Sequence, residues 1–483
     1  MESENNPKKI GYFALTMISS AIVISIRNLP TLAMTGMHMI FFALVAAIFY
    51  FIPVAAVSAE LATGWPKSGG IYAWIKEAFG GRWGFFAIWL QWTYMVLVVI
   101  AIVYFTAGSV AYLFDPALTN NKLFLLAVAW IVIWLFTFLN LRGLKASSAI
   151  STIGFLSGIL IPGLLIIVLG IIYLFQHQTI HLDMSFTFSN LFPDLTSFGN
   201  VVLLVGFMMA FSGVEVSSAH ASKVVNPRRN YPLAILSVVV ICLFVIVIGS
   251  LSVAIVVPKE EISLIGGVME AFTVFFSFFN LKWLMPYLAI MVALGQMGGV
   301  STWLNGPVKG LLGAAYTGDL PRFFQRVNQR GAPRNLLLVQ GAVISILASF
   351  ILLLPNVNIA FWFAVALSMI IYVTMYFLMF LAGIYLRYKK PDEPRAFRII
   401  GKKNIGMWIV AVIGMIATLF TFFIAFFPPS DLPSGGNVAY VVSLIIGAGV
   451  IFVIPPIIEK FKKESWAHDV EKAEPPQPPK ENK

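Results

Sequence analysis

Residues 19–30 read SSAIVISIRNLP, and residues 211–220 read FSGVEVSSAH. Each is a polar patch sunk in an apolar run. The first sets Ser19, Ser20, Ser25, Arg27 and Asn28 ahead of Pro30; the second gathers Ser212, Gly213, Glu215, Ser217, Ser218 and His220. In lipid an uninterrupted helix hides its backbone polar groups, so a break at mid-depth is how a membrane protein offers them to a polar solute. Small residues at a helix crossing explain either patch taken alone. The two patches, however, occupy matching positions in the first and sixth apolar runs. That spacing of five is the mark of an inverted-topology pair of repeats with a binding site between the broken helices.

The rest of the chain supplies the frame. Of 483 residues, 59% are hydrophobic and 11% charged, too little polar surface to keep a soluble fold of this size dissolved. A span needs roughly 20 mostly apolar residues. Such runs begin near Gly11, Met39, Arg82, Lys122, Ser147, Ser197, Tyr231, Lys282, Asn335, Ile359, Ile405 and Ala439, predicting an all-α integral membrane protein of about twelve helices. Alternating the loops from a cytoplasmic N-terminus puts every Lys and Arg on the inner side except Lys122, Lys259, Lys282 and the intramembrane Arg27. The net charge of +11 therefore reads as a topology signal, with both termini cytoplasmic, in an inner or plasma membrane. Miscounting by one helix would destroy that asymmetry.

The expected organisation is a short N-terminal segment (1–10), a first five-helix repeat (11–175), an inverted second repeat (176–388), two further helices (389–460) and a charged, Pro-rich disordered tail (461–483). Residues 66–81 mix Lys67, Lys76 and Glu77 with Ile71, Trp74 and Phe79, which predicts an amphipathic connector at the membrane surface.

Arg27 and Glu215 would each cost about 2.5 to 3.5 kcal/mol at the centre of a lone span, so each must face a cavity or a partner. The expectation is that they lie close together, partly neutralising one another when the site is empty and engaging the substrate's carboxylate and amine when it is filled. A purely structural ion pair is the competing reading.

At this point the residues resemble a family, the amino acid-polyamine-organocation superfamily, and within it the glutamate/GABA antiporter branch. Ala59-Glu60-Leu61 with Trp65-Pro66-Lys67-Ser68-Gly69-Gly70-Ile71-Tyr72 is similar to its second-span signature. Phe211-Ser212-Gly213-Val214-Glu215 with Asn226-Pro227-Arg228-Arg229-Asn230-Tyr231-Pro232 is similar to the sixth, and Leu320-Pro321-Arg322-Phe323-Phe324 with Asn328-Gln329-Arg330-Gly331-Ala332-Pro333 to the loop after the eighth. The resemblance implies a leucine-transporter-like core of five plus five helices, with two more C-terminal to it, working by alternating access on amino acids or their amine derivatives. It implies that backbone atoms around Ser25 and Ile26 and around Ser212, Gly213 and Val214 bind the substrate, with Trp303, Tyr372 and Tyr376 lining the path; the charges Arg27 and Glu215, with Asn28, complete the expected substrate-binding set. One departure bears on substrate: that branch carries Tyr and Glu where this chain has Arg27 and Asn28. A cation there favours an acidic substrate or balances Glu215. The tail, whose one histidine is His468, also lacks the branch's His-rich plug.

Antiport is the first reading. The alternatives are a sodium- or proton-coupled symporter, with Ser301 and Thr302 as possible sodium ligands, and a non-transporting amino-acid receptor. Nothing resembles a catalytic set, a phosphate cradle or a nucleic-acid face, so no enzyme, cofactor or nucleic acid is expected. The histidines are scattered, His177 and His181 giving only a weak metal signal, and Cys242 is the one cysteine. The expected partners are the bilayer, the amino-acid or amine substrate, and a counter-transported amino acid, proton or sodium ion.

Overall fold

In the computed structural model the described residues are 10–66, 69–142, 154, 156–176, 180–216, 224–354, 356–399, 404–429 and 437–467, the side chains of 301, 302, 305, 306 and 437 excepted. Among them, twelve helical stretches are long and apolar enough to cross a membrane. In order they are Tyr12–Ala33, Gly36–Gly64, Gly81–Ala111, Lys122–Leu141, Leu156–Gln176, Phe198–Val216, Pro227–Val256, Lys282–Val300, Arg334–Leu352, Val357–Lys389, Ile405–Ile424 and Val438–Lys460, numbered below as spans one to twelve. The fifth was expected from Ser147, which lies outside the described residues.

Spans rich in Val, Ile and Phe hold helix here because every backbone N–H and C=O must be satisfied within its own segment. The third span shows how they are layered: 94% of its most apolar stretch is buried, against 17% for the twelfth, so the third is the central post and the twelfth faces lipid. The third packs on the eighth, tenth and fourth. Spans five and eight approach backbone to backbone, and a Cβ on Gly158 would overlap Met291 O and the Gly295 backbone, which only glycine permits. A π-helical turn at Ala47–Phe51 precedes Pro53, whose missing N–H frees the turn before it, and that turn swings Tyr50 inward.

The two chain ends and four loops share one face. Ile10 forms a bridge with Val224 ahead of span seven, Val225 donating to its carbonyl at 2.9 Å. Lys389, ending span ten, donates to Ala78 O in the connector at 3.3 Å, and the Lys462 ammonium pairs with Asp319 after span eight at 2.5 Å. Gln325 donates to Trp466 O at 2.6 Å. Helical structure continues to a 3₁₀ turn at Glu464–Trp466, within the stretch drawn as the tail. Residues 468–483 lie outside the described set.

Two expectations need correction. The connector forms the helix Ile71–Phe79, but its apolar side, Ile71, Trp74, Ile75 and Ala78, is buried against spans three and ten and does not lie on lipid. A helix the sequence reading missed, Gly267–Phe278, packs between spans seven and eight on the opposite face. At 12 residues it is too short to cross.

Candidate functional site

The first span stops at Val23. Ile24 and Ser25 are extended, a single 3₁₀ turn follows at Ile26–Asn28, and helix resumes at Leu29–Ala33 with Pro30 in its first turn. Pro30 fits there because the missing N–H has no partner to lose. The sixth span breaks after Ala210. Ser212 and Gly213 leave the helix, Gly213 with φ +104°, before Val214 opens a short turn carrying Glu215. Ser217, Ser218 and His220 lie outside the described residues.

Gly213 fixes how the two breaks meet. A Cβ there would stand 3.2 Å from the Trp303 ring and 3.5 Å from Ile22 of the first span, and the backbone angle itself disfavours any side chain. Gly213→Ala is therefore expected to cost about 1 to 3 kcal/mol and to cut transport severely. Thermal unfolding in detergent beside an uptake assay checks this; a fully active alanine variant would mean the break tolerates ordinary backbone.

Around the sixth-span break stands a wall of phenols. The Glu215 carboxylate, 3% exposed, accepts from Tyr372 OH through Oε1 and from Tyr376 OH through Oε2 at 2.5 Å, with Gln91 Nε2 at 3.5 Å. Tyr376 OH in turn accepts the Gly213 N–H at 3.0 Å. Tyr50 OH bonds to Ser212 Oγ at 2.7 Å, and Ser212 also donates to Met208 O. Tyr94 lies flat on Tyr372, ring centroids 3.5 Å apart, and edge-on to Trp303. The unwound backbone, the carboxylate and the tenth-span tyrosines thus form one connected unit.

Arg27 stands apart from it. Its guanidinium is 5% exposed, donates a single long bond to Val98 O at 3.4 Å, and leaves Nε without an acceptor. No carboxylate among the described residues pairs with it, so Arg27 and Glu215 do not form an ion pair with each other. The tyrosines already hold Glu215, and Tyr94, stacked on Tyr372, is near enough to feel both charges. Ile26 is buried, its methyl toward Gly163 of span five, and Asn28 donates its N–H to Ser25 O. Val214 is buried beside the break. Ser301 and Thr302 are helical, but their side chains lie outside the described set.

Tyr50, Gln91 and Tyr94 were not expected at the site because they lie on other spans, outside the two breaks. The one signal was Gln91, an amide inside an otherwise apolar run.

Residues 10–451 match the family model described as amino acid permease. The chain belongs to the amino acid permease family. As such a permease, of the amino acid-polyamine-organocation superfamily, it is a secondary transporter of amino-acid-like solutes and not an enzyme. It is 40% identical over 94% of its length to an uncharacterised transporter of Legionella pneumophila, of which it covers 97%. It is 33% identical, again over 94%, to the glutamate/gamma-aminobutyrate antiporter of Lactococcus lactis, covering 90% of that protein. A probable agmatine/putrescine antiporter of the same species is 24% identical over 95% of the chain. In the permease, the Arg27 guanidinium and the tyrosine-clamped carboxylate are the charged groups that, among the described residues, are carried and buried at the two breaks.

Proposed function

We propose that this permease is an amino-acid antiporter of the glutamate/GABA type, exchanging one zwitterionic solute for another by alternating access. Its core is taken as two inverted repeats, residues 11–175 and 176–388, with 389–460 added outside them and both termini cytoplasmic. The supporting observation is the state of Arg27. A buried guanidinium brings five N–H donors, and leaving them unanswered costs several kcal/mol. Here one weak bond is made. A carboxylate arriving with the substrate answers the rest, while Glu215 takes the amine and the backbone of the non-helical stretches near Ser25, Ile26 and residues 212–214 orients the solute between them. Two opposite charges that do not pair with each other suit a solute that carries both.

Purified protein in liposomes preloaded with single amino acids or amines tests this, with uptake of labelled glutamate, GABA and neutral amino acids measured with and without sodium and a pH gradient. Uptake that requires internal amino acid and ignores sodium is expected. Accumulation in empty liposomes driven by a sodium gradient would replace antiport with symport, and binding without flux would make the protein a receptor. Arg27→Ala is expected to weaken competition by acidic solutes roughly 10- to 100-fold, the worth of a charge-assisted bond. Unchanged competition in that variant would remove Arg27 from the site.

A further inference from the structure

The loop between spans eight and nine holds residues 320–334, LPRFFQRVNQRGAPR, with four arginines and no acid. It is a fixed turn on the face that carries the termini. Asn328 is its hub: the side-chain oxygen accepts the N–H groups of Arg330 and Ala332 at 3.0 and 2.9 Å, and the amide donates to Leu141 O, at the end of span four, at 2.7 Å. Across the turn Arg334 N–H donates to Arg326 O at 3.1 Å and Asn328 N–H to Ala332 O at 2.9 Å, with Gly331 at φ +74° making the reversal. Arg330 reaches Arg142 O, just past span four, at 3.4 Å, and Asn335 of span nine holds Phe323 O at 2.8 Å. The turn is thus fastened to span four on one side and to span nine on the other.

Fastening it crowds like charge. Arg142, Arg322, Arg326, Arg330 and Arg334 are all exposed. Elsewhere on this face cations meet carboxylates: Arg82 pairs with Glu459, Lys390 with Glu77, Lys462 with Asp319 and Arg387 with Glu60. None of the five arginines pairs with a carboxylate among the described residues, and the acid nearest the loop in sequence, Asp319, is taken by Lys462. Arginines gathered on one turn repel, and an anion seated among them relieves the repulsion. Apolar side chains stand beside the charge. Phe323 and Val327 are exposed, and so is Phe138, one turn before Arg142 on span four. That span packs along span nine and is 39% buried in its most apolar stretch against 94% for span three, so it faces lipid.

We propose that this turn, together with Arg142, binds an anionic phospholipid of the adjoining leaflet, its phosphodiester held by the guanidiniums and its acyl chains lying along span four from Phe138. A guanidinium offers a planar fork that matches two phosphate oxygens, where an ammonium offers a point charge, and all five cations here are arginine. The exposed phenylalanines and valine next to them suit a ligand with an apolar part at the interface, which a free phosphate lacks. A nucleic acid calls for a basic face longer than one turn. With the termini cytoplasmic, the site meets the leaflet whose surface is negative. Binding itself requires neither that orientation nor antiport.

Melting curves of the full-length protein in dodecyl maltoside, titrated with dioctanoyl phosphatidylglycerol or dioctanoyl phosphatidylcholine, read the site without transport, because a ligand of the folded state raises the midpoint. The glycerol lipid is expected to raise it saturably and the choline lipid to leave it in place. Arg326→Gln with Arg330→Gln is expected to raise the half-effect concentration roughly 25-fold, about fivefold for each guanidinium. Arg228→Gln with Arg229→Gln removes an exposed pair from the start of span seven on the same face and is expected to change nothing. Equal shifts from the two lipids, an unaltered titration in the first variant, or an equal loss in the second overturns the proposal. Inorganic phosphate that reproduces the shift at the same concentrations would make this a free-phosphate site and overturn the lipid assignment. Should the double variant fail to fold, Arg330→Gln alone, expected at about fivefold, decides in the same way.

Discussion

Glu215→Gln is expected to leave the protein folded and to lower exchange at least a hundredfold, whereas Glu215→Ala is expected to lose both exchange and stability. The two differ because the carboxylate does two jobs. Structurally it is the acceptor for Tyr372 and Tyr376, and through Tyr376 it props the Gly213 N–H at the break. Removing it outright leaves two buried hydroxyls unanswered, at about 1 to 3 kcal/mol each. A glutamine keeps the shape: its oxygen accepts from one phenol, and the other phenol can turn to accept from its amide. Only the negative charge is gone, and with it the group that answers the substrate's ammonium in a medium where an unpaired charge is costly. Detergent melting curves beside liposome exchange separate the two effects. Wild-type exchange in Glu215→Gln would reduce the carboxylate to a brace for the sixth-span break.

That division of labour could not be read from the chain. The breaks could, because a proline behind a run of serines and a cation, or a glycine between serine and glutamate, has no place in a continuous lipid-facing helix. The count of spans could, because apolar length and the one-sided placement of Lys and Arg are local facts that must agree. Partner choice could not. Arg27 and Glu215, opposite charges at matching breaks, invited pairing. The structure gives Glu215 instead to phenols 157 and 161 residues further on and leaves Arg27 against a carbonyl of span three. Nothing about Tyr50 or Tyr94 in sequence separates an aromatic packed against a charge from one of many facing lipid. The helix Gly267–Phe278 was lost for a related reason: at 12 residues its apolar run falls short of a crossing and passes for loop.

Glu60 shows the same limit and leads to the second large effect. In sequence it is one letter of a family motif. In the structure it is the hub of a clasp on the face that carries the termini. Its carboxylate takes Arg387 Nε and Nη2, both at 2.6 Å, and the Ile399 N–H at 2.8 Å, with Arg395 Nε 3.5 Å away; the Glu60 and Arg387 side chains are each 1% exposed. Arg387 also donates to Ile399 O, the hydroxyl of Thr63 bonds the N–H and C=O of Phe397, and Arg395 lies over the Trp65 ring. The chain leaving span ten is thereby strapped across the end of span two. Two guanidiniums share one carboxylate, so removing it leaves two buried cations with no counter-charge, a more severe break than losing either arginine. Glu60→Gln is accordingly expected to cost about 3 to 5 kcal/mol and to lower the melting midpoint and membrane yield together, with Arg387→Ala costing less. Replacing all three charges, Glu60→Leu with Arg387→Met and Arg395→Met, should recover part of the loss, since well-packed apolar side chains of similar volume stand in for a buried ion triad at little cost. A Glu60→Gln protein that melts with the wild type would mean that water reaches the clasp, and the strap would then contribute nothing to holding spans two and ten together.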